Sequence, residues 1–64
     1  MNTTIEINKG DRVRLVYTDD DHTDLSGGDE GTVNLIDDFG TIHVFWDKGN
    51  HLGLIPGHDE WLIL

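Results

Sequence analysis

The sequence predicts a small all-β domain, and three observations support this prediction. In the second half of the chain, short apolar runs are separated at close intervals by turns that contain Gly and Asp, a pattern typical of a meander or barrel of short strands. No stretch has a helical period of useful length. At 64 residues, the chain is long enough for one domain only.

The first clear strand is predicted over residues 12–18, which read Arg-Val-Arg-Leu-Val-Tyr-Thr. Successive side chains of a strand point to opposite faces of the sheet. Val13, Leu15 and Tyr17 therefore share one face, on which we expect Val13 and Leu15 to be buried, and the two arginines of this strand face outward.

Residues 19–28 form a polar loop of a length that is often functional or mobile. Leu25, the single apolar residue of the loop, is expected to fold back over the core. Asp19 and Asp21 fall at calcium-loop spacing, but Asp24 stands where such a loop requires glycine, and strands rather than helices flank it. We predict no metal site and no cofactor.

A second strand is predicted over residues 31–36, with Val33 and Leu35 facing inward. Ile36 breaks the alternation, which indicates a bulge or a strand end that is buried on both sides. The turn formers Asp-Asp-Phe-Gly follow, and Gly40 is free to adopt a positive φ there.

The clearest alternation in the chain lies in residues 41–47. Ile42, Val44 and Trp46 are expected to be core residues, because the indole of Trp46 needs more buried area than the surface of so small a domain can offer. Phe45 then lies on the outer face.

The remaining residues predict two more strands. A turn at 48–50 precedes a strand over 51–55, which Gly53 weakens. Residues 56–60 are expected to form one short 3-10 turn, and residues 61–64 are expected to close the sheet.

Five short strands, a long first loop and a turn before the last strand predict an SH3-like five-stranded barrel. Closure of such a barrel removes exposed strand edges. We assign the barrel to residues 9–64 and residues 1–8 to an N-terminal extension or edge strand.

A family resemblance rests on four ordered segments: residues 10–15 (GDRVRL), 28–33 (GDEGTV), 40–49 (GTIHVFWDKG) and 52–57 (LGLIPG). They resemble the uncharacterised prokaryotic family catalogued as domain of unknown function 4314. That family implies a fold and no activity. The segments GTV and VFWD are also similar to KOW modules, which are SH3-like and contact RNA or proteins, although the acidity of this chain departs from the RNA-binding version.

Charge narrows the classes of partner. Thirteen acidic residues against four basic ones give a formal net charge of -9. Three explanations remain open: a surface that favours solubility, adaptation to high salt that screens like charges, or mimicry of a nucleic-acid backbone. All three disfavour direct nucleic-acid binding, which depends on Lys and Arg neutralising phosphates.

Other classes of function are disfavoured by residues that the chain lacks. It has no cysteine, which excludes disulfides and thiolate metal sites. It contains no run of bilayer-spanning length and no signal-peptide pattern, so we expect a cytoplasmic protein without membrane contact. Its single serine, Ser26, has no nucleophile-elbow context, and the histidines and carboxylates suggest no pocket. We expect no enzymatic activity.

The leading hypothesis is a non-catalytic interaction module that contacts a basic protein or peptide, as a monomer or weak homodimer. In SH3-like barrels the first long loop, the turn between the middle strands and the segment before the last strand line a shared groove. The predicted contact residues, in which aromatic rings supply area and carboxylates supply selectivity, are Tyr17, Asp19, Asp20, Asp21, Asp24, Phe45, His51 and Trp61.

Three alternatives remain beside this hypothesis. In the first, Tyr17 and Trp61 are core residues only. The protein as a whole is alternatively an acidic nucleic-acid mimic that inhibits a nucleic-acid-binding protein. The last alternative is a salt-adapted structural domain of a mobile element or haloarchaeon, with no dedicated site.

Overall fold

A computed structural model of the protein describes residues 7–64, and the elements within that range are five β-strands without a helix. The strands are β1 (Arg12–Tyr17), β2 (Glu30–Ile36), β3 (Ile42–Trp46), β4 (Gly53–Leu54) and β5 (Glu60–Ile63). They form one antiparallel sheet in the order β4-β3-β2-β1-β5. The predicted all-β class is confirmed. Since residues 7–64 contain no helix, they contain none that could cross a membrane.

The sheet is open, so the predicted closure is not seen. Among the described residues β5 pairs with β1, β4 pairs with β3, and these two end strands do not pair with each other. The fourth strand has two residues instead of the five that were predicted. The interpretation of residues 1–8 as an extension or edge strand lies, for residues 1–6, outside the described range.

The predicted 3-10 turn over residues 56–60 is wrong. These residues form a tight turn in which Pro56 and Asp59 make an isolated β-bridge, and Glu60 already belongs to β5. Gly57, at the tip of this turn, has a φ of 92°. A right-handed helical turn requires a negative φ, so the backbone at this glycine is incompatible with one.

The core lies on one face of the sheet and is covered from one side by the first loop. Ile42, Val44 and Trp46 are all buried, as predicted, and the indole Nε1–H of Trp46 donates a hydrogen bond to the Leu52 carbonyl at 2.8 Å. Leu25 is 5% exposed, which confirms that the loop folds back over the core. The other buried apolar side chains are Val13, Leu15, Val33 and Leu54.

Two bulges move Tyr17 off the face it was predicted to share with Val13 and Leu15, and make the prediction that Leu35 faces inward wrong. The strand register shifts between Leu15 and Tyr17 in the β1–β5 pair and between Val33 and Leu35 in the β2–β3 pair. An extra residue in one strand displaces the side chains beyond it from their expected face. Tyr17 and Leu35 are accordingly 53% and 45% exposed. The irregularity that Ile36 indicated is therefore a bulge.

Candidate binding surface

The first loop, residues 18–29, is held at its start by a buried carboxylate. Asp59 is 7% exposed and lies in the turn before β5. Its Oδ1 accepts a hydrogen bond from the Thr18 hydroxyl at 2.7 Å, and its Oδ2 accepts one from the Ile55 backbone N–H at 2.8 Å. A buried carboxylate requires such partners. Asp59 thus joins the loop to the segment between β4 and β5.

A second side-chain contact links the same two segments at the surface. The Nδ1 atom of His58 lies 3.1 Å from Oδ2 of Asp19, and both side chains are at least half exposed. This contact holds the Asp19 side chain against the turn before β5. The Asp59 and His58 contacts together hold the start of the loop, at Thr18 and Asp19, against the turn that precedes β5.

The end of the loop is held by Lys48 in the turn after β3. Its ammonium donates a hydrogen bond to the Asp24 carbonyl at 2.9 Å and lies 3.1 Å from Oδ2 of Asp29. The pKa of Asp29 is lowered, first by the hydrogen bond from the Ser26 backbone N–H and then by Lys48. The loop is therefore bridged to two other segments of the domain.

Between these two ends, the loop presents four exposed aspartates. The Oδ1 atom of Asp20 accepts a hydrogen bond from the His22 backbone N–H at 2.9 Å, which closes a local turn. Asp20, Asp21 and Asp24 have no cationic side-chain partner within residues 7–64. Their negative charge is available to a partner molecule.

Most of the basic side chains are already paired inside the domain. The guanidinium of Arg12 binds both carboxylate oxygens of Asp47, at 2.9 and 2.6 Å, and also reaches Glu30 at 3.3 Å. Arg14 pairs with Glu30 at 3.0 Å. The hydrogen bond from Arg12 lowers the pKa of Asp47. These pairs leave the arginines poorly available to an acidic ligand and concentrate uncompensated negative charge elsewhere, including the loop.

Two of the predicted aromatic contact residues lie on the paired strands beside the acidic loop. Tyr17 ends β1 opposite Glu60, and Trp61 lies opposite Leu15 on β5. Trp61 is half-buried and lines an open groove of about 570 Å³ along β5, together with Ile7, Asp59, Glu60, Leu62 and Ile63. The structure thus brings Tyr17 and Trp61 to the side of the domain where Asp19 is held.

Phe45 and His51 line a different depression. It measures about 100 Å³ and is also lined by His43, Asn34 and Leu52, among others. Phe45 is 58% exposed on the outer face of β3, as predicted. The eight predicted contact residues therefore do not form one groove with a common lining.

His43 in this second depression also organises the β2–β3 turn. Its Nε2 lies 2.9 Å from Oδ2 of Asp37, whose Oδ1 accepts hydrogen bonds from the backbone N–H groups of Phe39 and Thr41. The contact with His43, followed by these backbone bonds, lowers the pKa of Asp37. Both side chains are engaged in shaping the turn.

Sequence reasoning missed three of the residues that fix the surface: Thr18, His58 and Asp59. Thr18 and Asp59 are 41 positions apart, and Asp19 and His58 are 39 apart. No periodicity or local motif joins positions so distant in the chain. Only the excess of Asp in this loop and the polar His-Asp-Glu run before the last strand indicated that these segments were unusual.

No metal centre is evident in the part of the chain that the structure describes. Within residues 7–64, no three His, Asp or Glu side chains come together in a group able to hold a metal ion.

Comparison with known proteins gives a family and no activity. No curated protein and no solved structure matches the chain. The family model described as domain of unknown function (DUF4314) matches residues 5–64, which agrees with the resemblance of the four sequence segments. The chain therefore belongs to the DUF4314 family.

Proposed function

We propose that this protein is a non-catalytic binding module that contacts a basic protein or peptide. The contact region is the acidic surface, defined as Tyr17, the loop carboxylates of residues 19–24 and Trp61. The observation behind this proposal is that an exposed acidic loop is fixed by side-chain contacts beside a groove with aromatic and aliphatic walls.

The same proposal assigns the domain to the SH3-like class. The strand order β4-β3-β2-β1-β5, the antiparallel pairing and the long loop between β1 and β2 support this assignment. In domains of this class the first loop and the segment before the last strand border the ligand groove, and here these two segments are joined by the Thr18–Asp59 hydrogen bond.

Charge and rigidity together explain why a basic partner fits. A cluster of like charges attracts an oppositely charged partner and speeds its association, while rejecting acidic competitors. A loop that is already held in place loses less conformational freedom on binding. Apolar contacts in the groove beside the loop would add affinity that does not depend on salt, beyond the electrostatic attraction.

A titration with short peptides tests the proposal. The probe is a fluorescently labelled peptide of alternating lysine and serine, and its control is the same peptide with glutamate in place of lysine. We expect anisotropy to report binding of the lysine peptide only, with an affinity that falls as salt rises. Equal binding of both peptides, or no binding of the lysine peptide at low salt, would refute the proposal.

A matched pair of variants locates the contact. Asp21→Asn and Asp38→Asn each remove one exposed charge, and neither side chain makes a hydrogen bond within the described residues. An exposed ion pair contributes about 0.2–1 kcal/mol, so we expect Asp21→Asn to weaken binding about 1.5- to 5-fold. Asp38→Asn, in the β2–β3 turn, should leave the affinity unchanged.

Mimicry of a nucleic-acid backbone is the second candidate, favoured by three consecutive exposed aspartates at 19–21. A mimic binds its target through charge alone, so its complex should dissociate fully at high salt. A binder that also uses the apolar groove should keep part of its affinity. The salt dependence of partner binding therefore separates these two functions.

A further inference from the structure

We propose that the outer edge of β5, which no strand within residues 7–64 occupies and which we call the free edge, receives an extended basic segment of the partner as an added antiparallel or parallel strand. This inference rests on the proposed function and specifies how the partner binds. It assigns recognition to the backbone of β5 as well as to the carboxylates of the acidic surface.

The hydrogen-bonding pattern identifies which backbone groups face the free edge. β5 is the end strand of the sheet, and the Leu64 N–H donates to the Arg12 carbonyl of β1 at 2.9 Å. Residues in an antiparallel pair alternate between those that bond the neighbouring strand and those that do not. Leu62 therefore also bonds β1, whereas the N–H and C=O groups of Trp61 and Ile63 point away from it.

The pairing of β1 with its other neighbour agrees with this assignment. The Leu15 N–H donates to the Asp29 carbonyl at 2.7 Å, on the side of β2. The backbone groups of Leu15 thus point towards β2. Those of Arg12, three positions away, point towards β5, as the alternation requires. The alternation is consistent across the three strands.

The edge of β5 is accompanied by an apolar groove. The groove of about 570 Å³ is lined by all four residues of β5, by Asp59 just before it and by Ile7. Strand addition combines backbone hydrogen bonds along an edge with pockets for every second side chain. Trp61 and Ile63, whose backbone groups face the edge, are half-buried and pack against the core, so their side chains supply one apolar wall.

Charge complementarity identifies the occupant as basic. Glu60, at the start of β5, is exposed and has no ion-pair partner within residues 7–64, and the acidic loop is joined to the turn before β5 through Asp19 and His58. A second copy of a chain with net charge -9 would be repelled from this edge. A strand that alternates apolar and basic residues satisfies both the groove and the carboxylates.

Amide hydrogen exchange with a defined peptide tests the inference. The probe is a peptide of alternating lysine and valine, added to the full chain and followed by NMR. We expect the Trp61 and Ile63 amides to exchange at least about tenfold more slowly in the complex, because exchange slows when an amide is hydrogen-bonded. The Leu62 and Leu64 amides already face β1 and serve as internal controls that change little.

A second peptide separates backbone recognition from charge attraction. In it, alternate amide nitrogens carry methyl groups, which remove donors along one edge and leave the charge unchanged. Both registers of methylation are compared. We expect the version methylated on the edge that faces β5 to lose binding, while the other version binds normally.

Each contrary result has a distinct meaning. Equal binding of the unmethylated peptide and both methylated versions would overturn strand addition and leave the proposed function intact. Failure of every basic peptide to bind would overturn both. If the Trp61 and Ile63 amides are protected as strongly as that of Leu62 in the free protein, the edge is occupied by the chain's own residues or, if protection rises with concentration, by a second copy. Either finding would overturn the inference.

Discussion

Replacing Asp59 with alanine should destabilise the domain by separating the first loop from the segment before β5. The carboxylate accepts hydrogen bonds from the Thr18 hydroxyl and the Ile55 N–H at 2.7 and 2.8 Å. Hydrogen bonds to a charged group contribute about 1.5–3 kcal/mol each. Since water can reach Thr18 once the loop detaches, we expect a combined loss of about 2–4 kcal/mol.

This loss is large compared with the total stability of so small a domain. At about 0.05–0.15 kcal/mol per residue, a chain of this length has a free energy of unfolding of roughly 3–10 kcal/mol. The Asp59→Ala variant should therefore be partly unfolded or melt about 10–30 °C lower, since 1 kcal/mol corresponds to about 4–8 °C at this size.

Urea denaturation followed by tryptophan fluorescence measures the effect. Asp38→Ala is the matched control, because Asp38 is exposed and its removal should change stability by less than about 0.5 kcal/mol. A double-mutant cycle with Thr18→Val should show a coupling of about 0.5–2 kcal/mol. If Asp59→Ala unfolds at the same urea concentration as Asp38→Ala, the carboxylate does not hold the two segments together and our reasoning is wrong.

Three further results are expected. Gly31→Ala should lower the free energy of unfolding by about 1–3 kcal/mol in urea melts, because a Cβ there would lie 2.6 Å from Val44 Cγ1 and 2.7 Å from the Phe45 carbonyl oxygen. Arg12 lowers the pKa of Asp47, so the Asp47 carboxylate stabilises the fold above the unfolded-state pKa of 3.8. This stabilisation is lost as the pH falls through the folded-state pKa. Arg12→Lys, which removes the bidentate contact, should raise the Asp47 pKa in a carboxyl NMR titration. If the acidity reflects salt adaptation, the melting temperature should rise steadily from low to multimolar KCl.

The results that would contradict these expectations are equally specific. A Gly31→Ala protein as stable as the wild type would mean that β2 and β3 separate at little cost. An Asp47 pKa unchanged by Arg12→Lys would show that the bidentate contact with the Arg12 guanidinium is not what lowers it. A melting temperature that is flat or falls with KCl would argue against salt adaptation.

Local pattern was sufficient to predict the centre of the fold. The burial of Ile42, Val44 and Trp46 follows from strict alternation within one strand, which needs no knowledge of the neighbouring strands. Tyr17 and Leu35 obeyed the same alternation in the sequence but are exposed, because the bulges that displace them depend on cross-strand register. The register depends on how two strands pair, so it cannot be predicted from the sequence of either strand alone.

The candidate surface was also predictable in part. The excess of aspartate in the first loop was visible in the sequence, and the loop is acidic and exposed in the structure. The sequence did not show which aromatic residues lie near this loop. In the structure, Trp61 lies on the strand beside the loop, whereas Phe45 and His51 line a separate depression. The contacts that decide this arrangement, Thr18 with Asp59 and Asp19 with His58, join residues far apart in the chain.

The most direct test of the proposed function is an NMR map of backbone amide shifts during titration with the lysine–serine peptide. We expect the largest changes at Tyr17, in residues 19–24 and at Trp61, with small changes at Phe45 and His51. Changes confined to the depression around Phe45 and His51, or no saturable change at any amide at low salt, would contradict a basic partner at the acidic surface.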